Sequence, residues 1–253
     1  MTKDILVPAF IIAHKYVKGY TSYIEYYINN IQKHYPEALT IVVDNNSEHK
    51  DDIFKRLSLY NNVVLLDNNI DCKFELGAYQ VGMKYILDND LQNYYDYFMC
   101  TQDLYILKNK YDLSKLKDSN VNVAPIIGWS NDLEIMYIVR PVLEHFNLFN
   151  RLDETDICWC SSFVVSKEKI LYLYEYLRQI VIVDREGSKA SERYLGRLFL
   201  ELNNGTKFSI DGSDNTYNVH GYNYDCHSVN VYANVDKHFC KISQKKTEST
   251  YER

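Results

Sequence analysis

The feature that most constrains this chain is an alternation of hydrophobic periods in its first hundred or so residues. Residues 5–13 form a continuous apolar run containing Pro8, the pattern of a strand buried on both faces. Ser22-Tyr23-Ile24-Glu25 then has the Ser-x-x-Glu form of a capping box. Ile24, Ile28 and Ile31 follow at helical spacing, ending near Pro36. A second apolar run, 39–43, stops at Asp44-Asn45-Asn46-Ser47. The pattern predicts a short helix over 53–59 and a third strand over 63–66, closed by Asp67-Asn68-Asn69. Residues 75–87 place Leu76, Tyr79, Met83 and Ile86 on one helical side. A fourth strand over 95–100 ends at Thr101-Gln102-Asp103. Strand alternating with helix at this spacing means parallel strands joined by right-handed crossovers.

A parallel sheet binds ligands at the carboxyl ends of its strands. Here those ends carry His14-Lys15, Asp44-Asn45-Asn46, Asn68-Asn69 and Gln102-Asp103, each polar directly after an apolar run. The later sequence is less regular. It predicts strands over 121–127, 135–139 and 157–165, the last reading ICWCSSFVV. A helix capped by Ser166 should carry Ile170, Tyr174, Leu177 and Val181 on one face. Another over 190–202 shows a stripe of Leu195, Leu198, Phe199 and Leu202, with Gly205 where a C-terminal stop belongs. No Pro-, Gly- or Ser-rich linker divides the chain. The expectation is therefore one α/β domain over 1–240, with a ligand-binding half (1–110), a mixed half (111–240) and a polar tail (241–253).

Several function classes are excluded or disfavoured. Lys and Arg number 28 against 34 Asp and Glu, a net charge of −6, whereas a nucleic-acid binder needs a basic surplus. No run approaches the roughly 18 apolar residues of a membrane span, and the N-terminus lacks the form of a secretion signal. Six scattered cysteines in a chain this long read as reduced thiols of a cytoplasmic protein. Cys226, His227, His238 and Cys240 match no zinc-finger spacing. No Gly-x-Gly-x-x-Gly follows the first strand. Gly77-x-x-x-x-Gly82-Met83-Lys84 is no phosphate loop, because Met83 separates Gly from Lys and both glycines fall in a helix.

Three segments carry a resemblance. Val42-Val43-Asp44-Asn45-Asn46-Ser47 closes the second strand with an acid, and Phe98-Met99-Cys100-Thr101-Gln102-Asp103 closes a later one similarly. Between them, residues 69–79 (NIDCKFELGAY) look like an Asn-x-Gly-Phe/Tyr-Asp/Glu-x-Gly segment after a third strand. Together these resemble GT-A-fold glycosyltransferases, especially those near family two, well over 3–110 and loosely over 120–225. The resemblance implies a Rossmann-like GT-A fold, with a mostly parallel sheet flanked by helices and a mixed C-terminal half. It implies a nucleoside-diphosphate sugar as donor and a glycan or other hydroxyl compound as acceptor. Asp44 would face the base or ribose, beside the backbone of Ala13 and His14. Lys73, Glu75, Gly77 and Gln102 would line the donor pocket. Asp103 would hold a divalent cation, Mn²⁺ or Mg²⁺, against the diphosphate. The family pattern has two acids where Gln102-Asp103 has one. A further metal ligand would be His220, in Asn218-Val219-His220-Gly221, with His227 as competitor; a surface-loop histidine is an equally good reading of either.

Inverting transfer needs a base near the acceptor hydroxyl. Glu192 shares the stripe of Leu195 and Phe199 at the start of a helix, and Asp156 is its reserve. Acids also favour first helical turns through the helix dipole alone. Trp129 and Trp159 read as core residues before sugar platforms, and Arg193 and Arg197 as a solvated face. The expected function is metal-assisted glycosyl transfer in glycan biosynthesis. The alternative is a glycosyltransferase-like protein that binds nucleotide sugar or glycan without catalysis, motivated by the single acid at 102–103.

Overall fold

A computed structural model describes residues 6–17, 22–126, 129–131, 136–148, 156–158, 161–210 and 239–241. The first strand, β1 (Pro8–His14), is buried along its whole length, with Pro8 at its first position, where a strand tolerates proline. The helix α1 (Ile24–His34) follows, then β2 (Leu39–Asp44), α2 (Lys50–Leu57), β3 (Val63–Asp67), α3 (Phe74–Asp88) and β4 (Tyr97–Gln102). The βαβαβ alternation expected from the hydrophobic periods is thus present. The capping box is not: Tyr23 is the N-cap of α1, no side chain caps it, and Ser22 Oγ is buried without a partner.

After β4 come β5 (Tyr105–Leu107), α4 (Ser114–Asp118), β6 (Val123–Pro125), β7 (Trp129–Asn131), α5 (Met136–His145), β8 (Asp156–Cys158), β9 (Phe163–Ser166), α6 (Ile170–Leu177), α7 (Arg185–Leu202) and β10 (Phe239–Lys241). Five expectations are corrected here. Residues 136–145 are helical, not a strand: Val139 and Leu143 are buried at i, i+4, and Arg140 pairs with Glu144 at the same spacing. The run 157–165 is two strands, broken at Ser161, whose φ is 48° and whose hydroxyl meets Ser191 at 2.9 Å. Helix α7 begins at Arg185 because Asp184 caps it, accepting from Gly187 N at 2.8 Å. Val181 lies outside α6 and is exposed, and Ser166 bonds Asn122 instead of capping that helix.

The main sheet has the order β3-β2-β1-β4-β9-β6. Strands β1 to β4 pair in parallel, while β9 is antiparallel to both β4 and β6. One sheet therefore takes strands from both halves of the chain. Period-two alternation sends Ala9, Ile11 and Ala13 to one face and Phe10 and Ile12 to the other. The first face packs on α3, α5, α6 and α7, the second on α1, α2 and α4. Tyrosine supplies part of these cores: Tyr27 donates to Thr101, and the Tyr35 hydroxyl both accepts from Tyr111 N and donates to Tyr111 O. The strand order reverses between β1 and β4, so the crevice of a doubly wound sheet opens at their carboxyl ends.

Candidate functional site

At that crevice lies a cleft of about 640 Å³, lined among others by Ala13, His14, Lys15, Asn45, Asn46, Asn68, Lys73, Phe74, Glu75, Gln102, Asp103 and Val183. All four polar strand ends contribute to it. Six expected site residues line the cleft: Ala13, His14, Lys73, Glu75, Gln102 and Asp103.

Asp103 and His14 form the tightest polar contact. His14 Nδ1 donates to Asp103 Oδ2 at 2.6 Å, with His14 fully enclosed, and Lys15 N donates to the same oxygen at 3.0 Å. The adjacency follows from the register, which sets Ala13 opposite Gln102 and lets Asp103 N bond Ala13 O. A carboxylate only accepts, so Nδ1 carries the hydrogen. Nε2 of His14 is buried with no partner. The imidazole, expected to serve through its backbone, instead engages the acid with its side chain.

Glu75 is the second junction. Its Oε1 accepts from Gln102 Nε2 at 3.0 Å and its Oε2 from Ser188 Oγ at 3.2 Å. It thereby ties the end of β4 and the first turns of α7 to the start of α3. Glu192 stands one turn beyond Ser188 on the same side of α7, half-buried, and is not among the cleft-lining residues.

Asp44 is buried at the end of β2. Its Oδ2 accepts from Ser47 N at 2.9 Å, a turn-forming bond, while Oδ1 is buried without a partner. Gly77 is not among the cleft-lining residues and sits in a close-packed position at the start of α3. A Cβ there would fall 1.9 Å from Cys72 O and 2.6 Å from Asn68 Nδ2. Asn68 in turn donates to Asn45 Oδ1 and Cys72 O. Burial pushes the Cys72 thiol up, against weaker hydrogen bonds from Ile182 N and Gln80, which favours the thiol over the thiolate.

His220 and His227 lie outside the described residues, as do Trp159, Cys226 and His238. Asp156 begins β8. Among the described residues, no group of three or more His, Cys, Asp or Glu side chains is placed to hold a metal, and no helix is long and apolar enough to cross a membrane. Phe74, Val183 and Ser188 went unassigned from sequence. Of these Phe74 alone had a signal, lying inside the NIDCKFELGAY segment between two expected site residues.

The fold has the mostly parallel, helix-flanked sheet and mixed second half that the resemblance implied. No family model matches the chain, and no curated protein sequence matches it. Among solved structures it is similar to core-mannan synthase A from Aspergillus fumigatus in its Mn/GDP form, at 10% identity over 82% of this chain and 72% of that one, with a TM-score of 0.42. It is also similar to 4-diphosphocytidyl-2C-methyl-D-erythritol synthase, at 13% identity, 83% and 91% coverage and a TM-score of 0.44. A third similarity is to residues 1–349 of TarS from S. aureus, at 12% identity, 76% and 56% coverage and a TM-score of 0.42.

Proposed function

We propose that the chain is a glycosyltransferase that holds a nucleoside-diphosphate sugar in this cleft and passes the sugar to a hydroxyl acceptor. One observation carries the reading: four polar strand ends and the start of α3 converge on a single cleft at the point where the strand order reverses. Lys15 and Lys73 bring positive charge to it. The first-turn N–H groups of α3, which no side chain caps, add the positive end of a helix dipole. That combination suits a diphosphate.

A divalent cation fits the described donor set in one form only. Asp103 Oδ2 is taken by His14 and Lys15 N, leaving Oδ1 as a single carboxylate oxygen; the remaining ligands would come from diphosphate, water and a residue such as His220. When bound, such a cation would offset the charge of the departing diphosphate. In the transfer step, the acceptor oxygen bonds the anomeric carbon as the bond to the diphosphate breaks with its electron pair. Glu192 takes the acceptor proton, and attack opposite the leaving group inverts the centre.

A melting panel of nucleotide sugars with and without Mn²⁺ tests the binding. A donor near a hundred times its Kd should add about 2.7 kcal/mol of stability, and no shift with any donor would sink the reading. Glu192→Gln should bind donor as the parent does while transfer drops about a hundredfold, measured as released nucleotide and sugar-bearing acceptor. Unaltered transfer would remove Glu192 from the mechanism. The non-catalytic alternative draws on the single acid of Gln102-Asp103, where the family pattern has two, and on the Gln102 amide being engaged by Glu75. Donor binding with neither transfer nor hydrolysis favours it.

A further inference from the structure

Nine non-glycine residues among those described have left-handed φ values. Eight are Asn, Asp, His or Ser, types that tolerate this region or bond locally within it. The ninth is Phe74, at φ 58°. A bulky aromatic is an outlier there, and such a conformation persists only where its surroundings dictate it. The surroundings of Phe74 do. Lys73 N donates to Ile182 O at 2.7 Å, the close approach at Gly77 fixes α3 against Cys72, and Glu75 is held from two sides.

Core packing does not account for the residue, because Phe74 is 37% exposed and lines the cleft. Val183, 70% exposed, adds a second apolar surface to the same cleft. Asn45, Asn46 and Asn68 line the same cleft, with Asn68 donating to Asn45 Oδ1 at 2.7 Å. An exposed aromatic ring in a cleft that also carries side-chain amides suits a flat ring with a hydrogen-bonding edge better than a sugar, which presents hydroxyls around its rim.

We propose that Phe74 is the platform on which the nucleobase of the donor stacks, which makes it a specificity-determining residue. The proposal rests on the nucleotide-sugar reading above, and the test separates the two. Calorimetry would measure UDP, GDP and inorganic pyrophosphate binding to the parent protein, Phe74→Gly, Phe74→Leu and Phe74→Tyr, alongside melting of each unliganded protein. Glycine adopts this φ without strain, so unliganded Phe74→Gly should melt no more than about 3 °C below the parent. Its affinity for the preferred nucleoside diphosphate should nonetheless drop about 5- to 150-fold, the range for one base stacked on an aromatic ring. Phe74→Leu, which keeps the apolar bulk and the strained backbone, should lose affinity similarly, and Phe74→Tyr should retain it. Pyrophosphate should bind all four alike. If Phe74→Gly and Phe74→Leu bind the nucleotide as the parent does, or lose pyrophosphate in equal proportion, the platform is wrong and the nucleotide reading stands. If the parent binds neither nucleoside diphosphate more tightly than pyrophosphate, both fall.

Discussion

Asp103→Ala is expected to lower transfer by up to about a thousandfold, the upper range for loss of one preorganised electrostatic group. The variant should also lose stability. Asp103 Oδ2 is the acceptor for the buried His14 imidazole and for Lys15 N, and stranding a buried donor costs about 1–3 kcal/mol. Loss of activity in the alanine variant alone therefore conflates two effects. Asp103→Asn separates them, because its carboxamide oxygen still accepts from His14 and Lys15 while the charge is gone. It should melt closer to the parent than alanine does and remain as inactive. Steady-state kinetics with melting curves for the pair decide the matter. Full activity in the asparagine variant would mean that the negative charge of Asp103 does no chemistry, and that its role is to anchor the end of β1.

The sheet was legible because each of its first four strands is an apolar run with an abrupt polar stop, and such runs have few alternatives. The same stops marked the rim of the cleft, so six of the expected residues meet there. What sequence could not show are partners set by topology. His14 reaches Asp103 because β4 lies beside β1, and Glu75 reaches Ser188 because α7 packs against α3. Neither pairing leaves a local pattern. Local errors had local causes. Residues 135–139 look like a strand when the i, i+4 relations of Val139 with Leu143 and Arg140 with Glu144 are overlooked. ICWCSSFVV reads as unbroken because serine does not announce a left-handed backbone, yet Ser161 bends the chain from one sheet into another.

Gly77 makes the same point through stability. From sequence it belongs to the binding segment, yet Gly77→Ala is expected to act first on the fold. Its methyl group would lie 1.9 Å from the Cys72 carbonyl oxygen, and backbone cannot rotate away as a side chain can. Either the start of α3 or the turn at 68–72 must move, at a cost near the top of the overpacking range, about 3 kcal/mol. For a chain of this size that lowers the melting temperature by about 6–12 °C. Gly82→Ala is the control: its methyl would meet Ile11 Cγ2 at 2.4 Å, a side chain with some freedom to adjust, so the loss should be smaller. The two variants should also differ in binding. Gly82 packs against mid-strand β1, away from the rim, whereas the turn behind Gly77 holds Asn68, which bonds Asn45 in the cleft wall. Gly77→Ala should therefore weaken nucleotide binding at temperatures where it is still folded, while Gly82→Ala should not. Equal melting temperatures for Gly77→Ala and the parent would show that α3 does not need its close seat on the 68–72 turn.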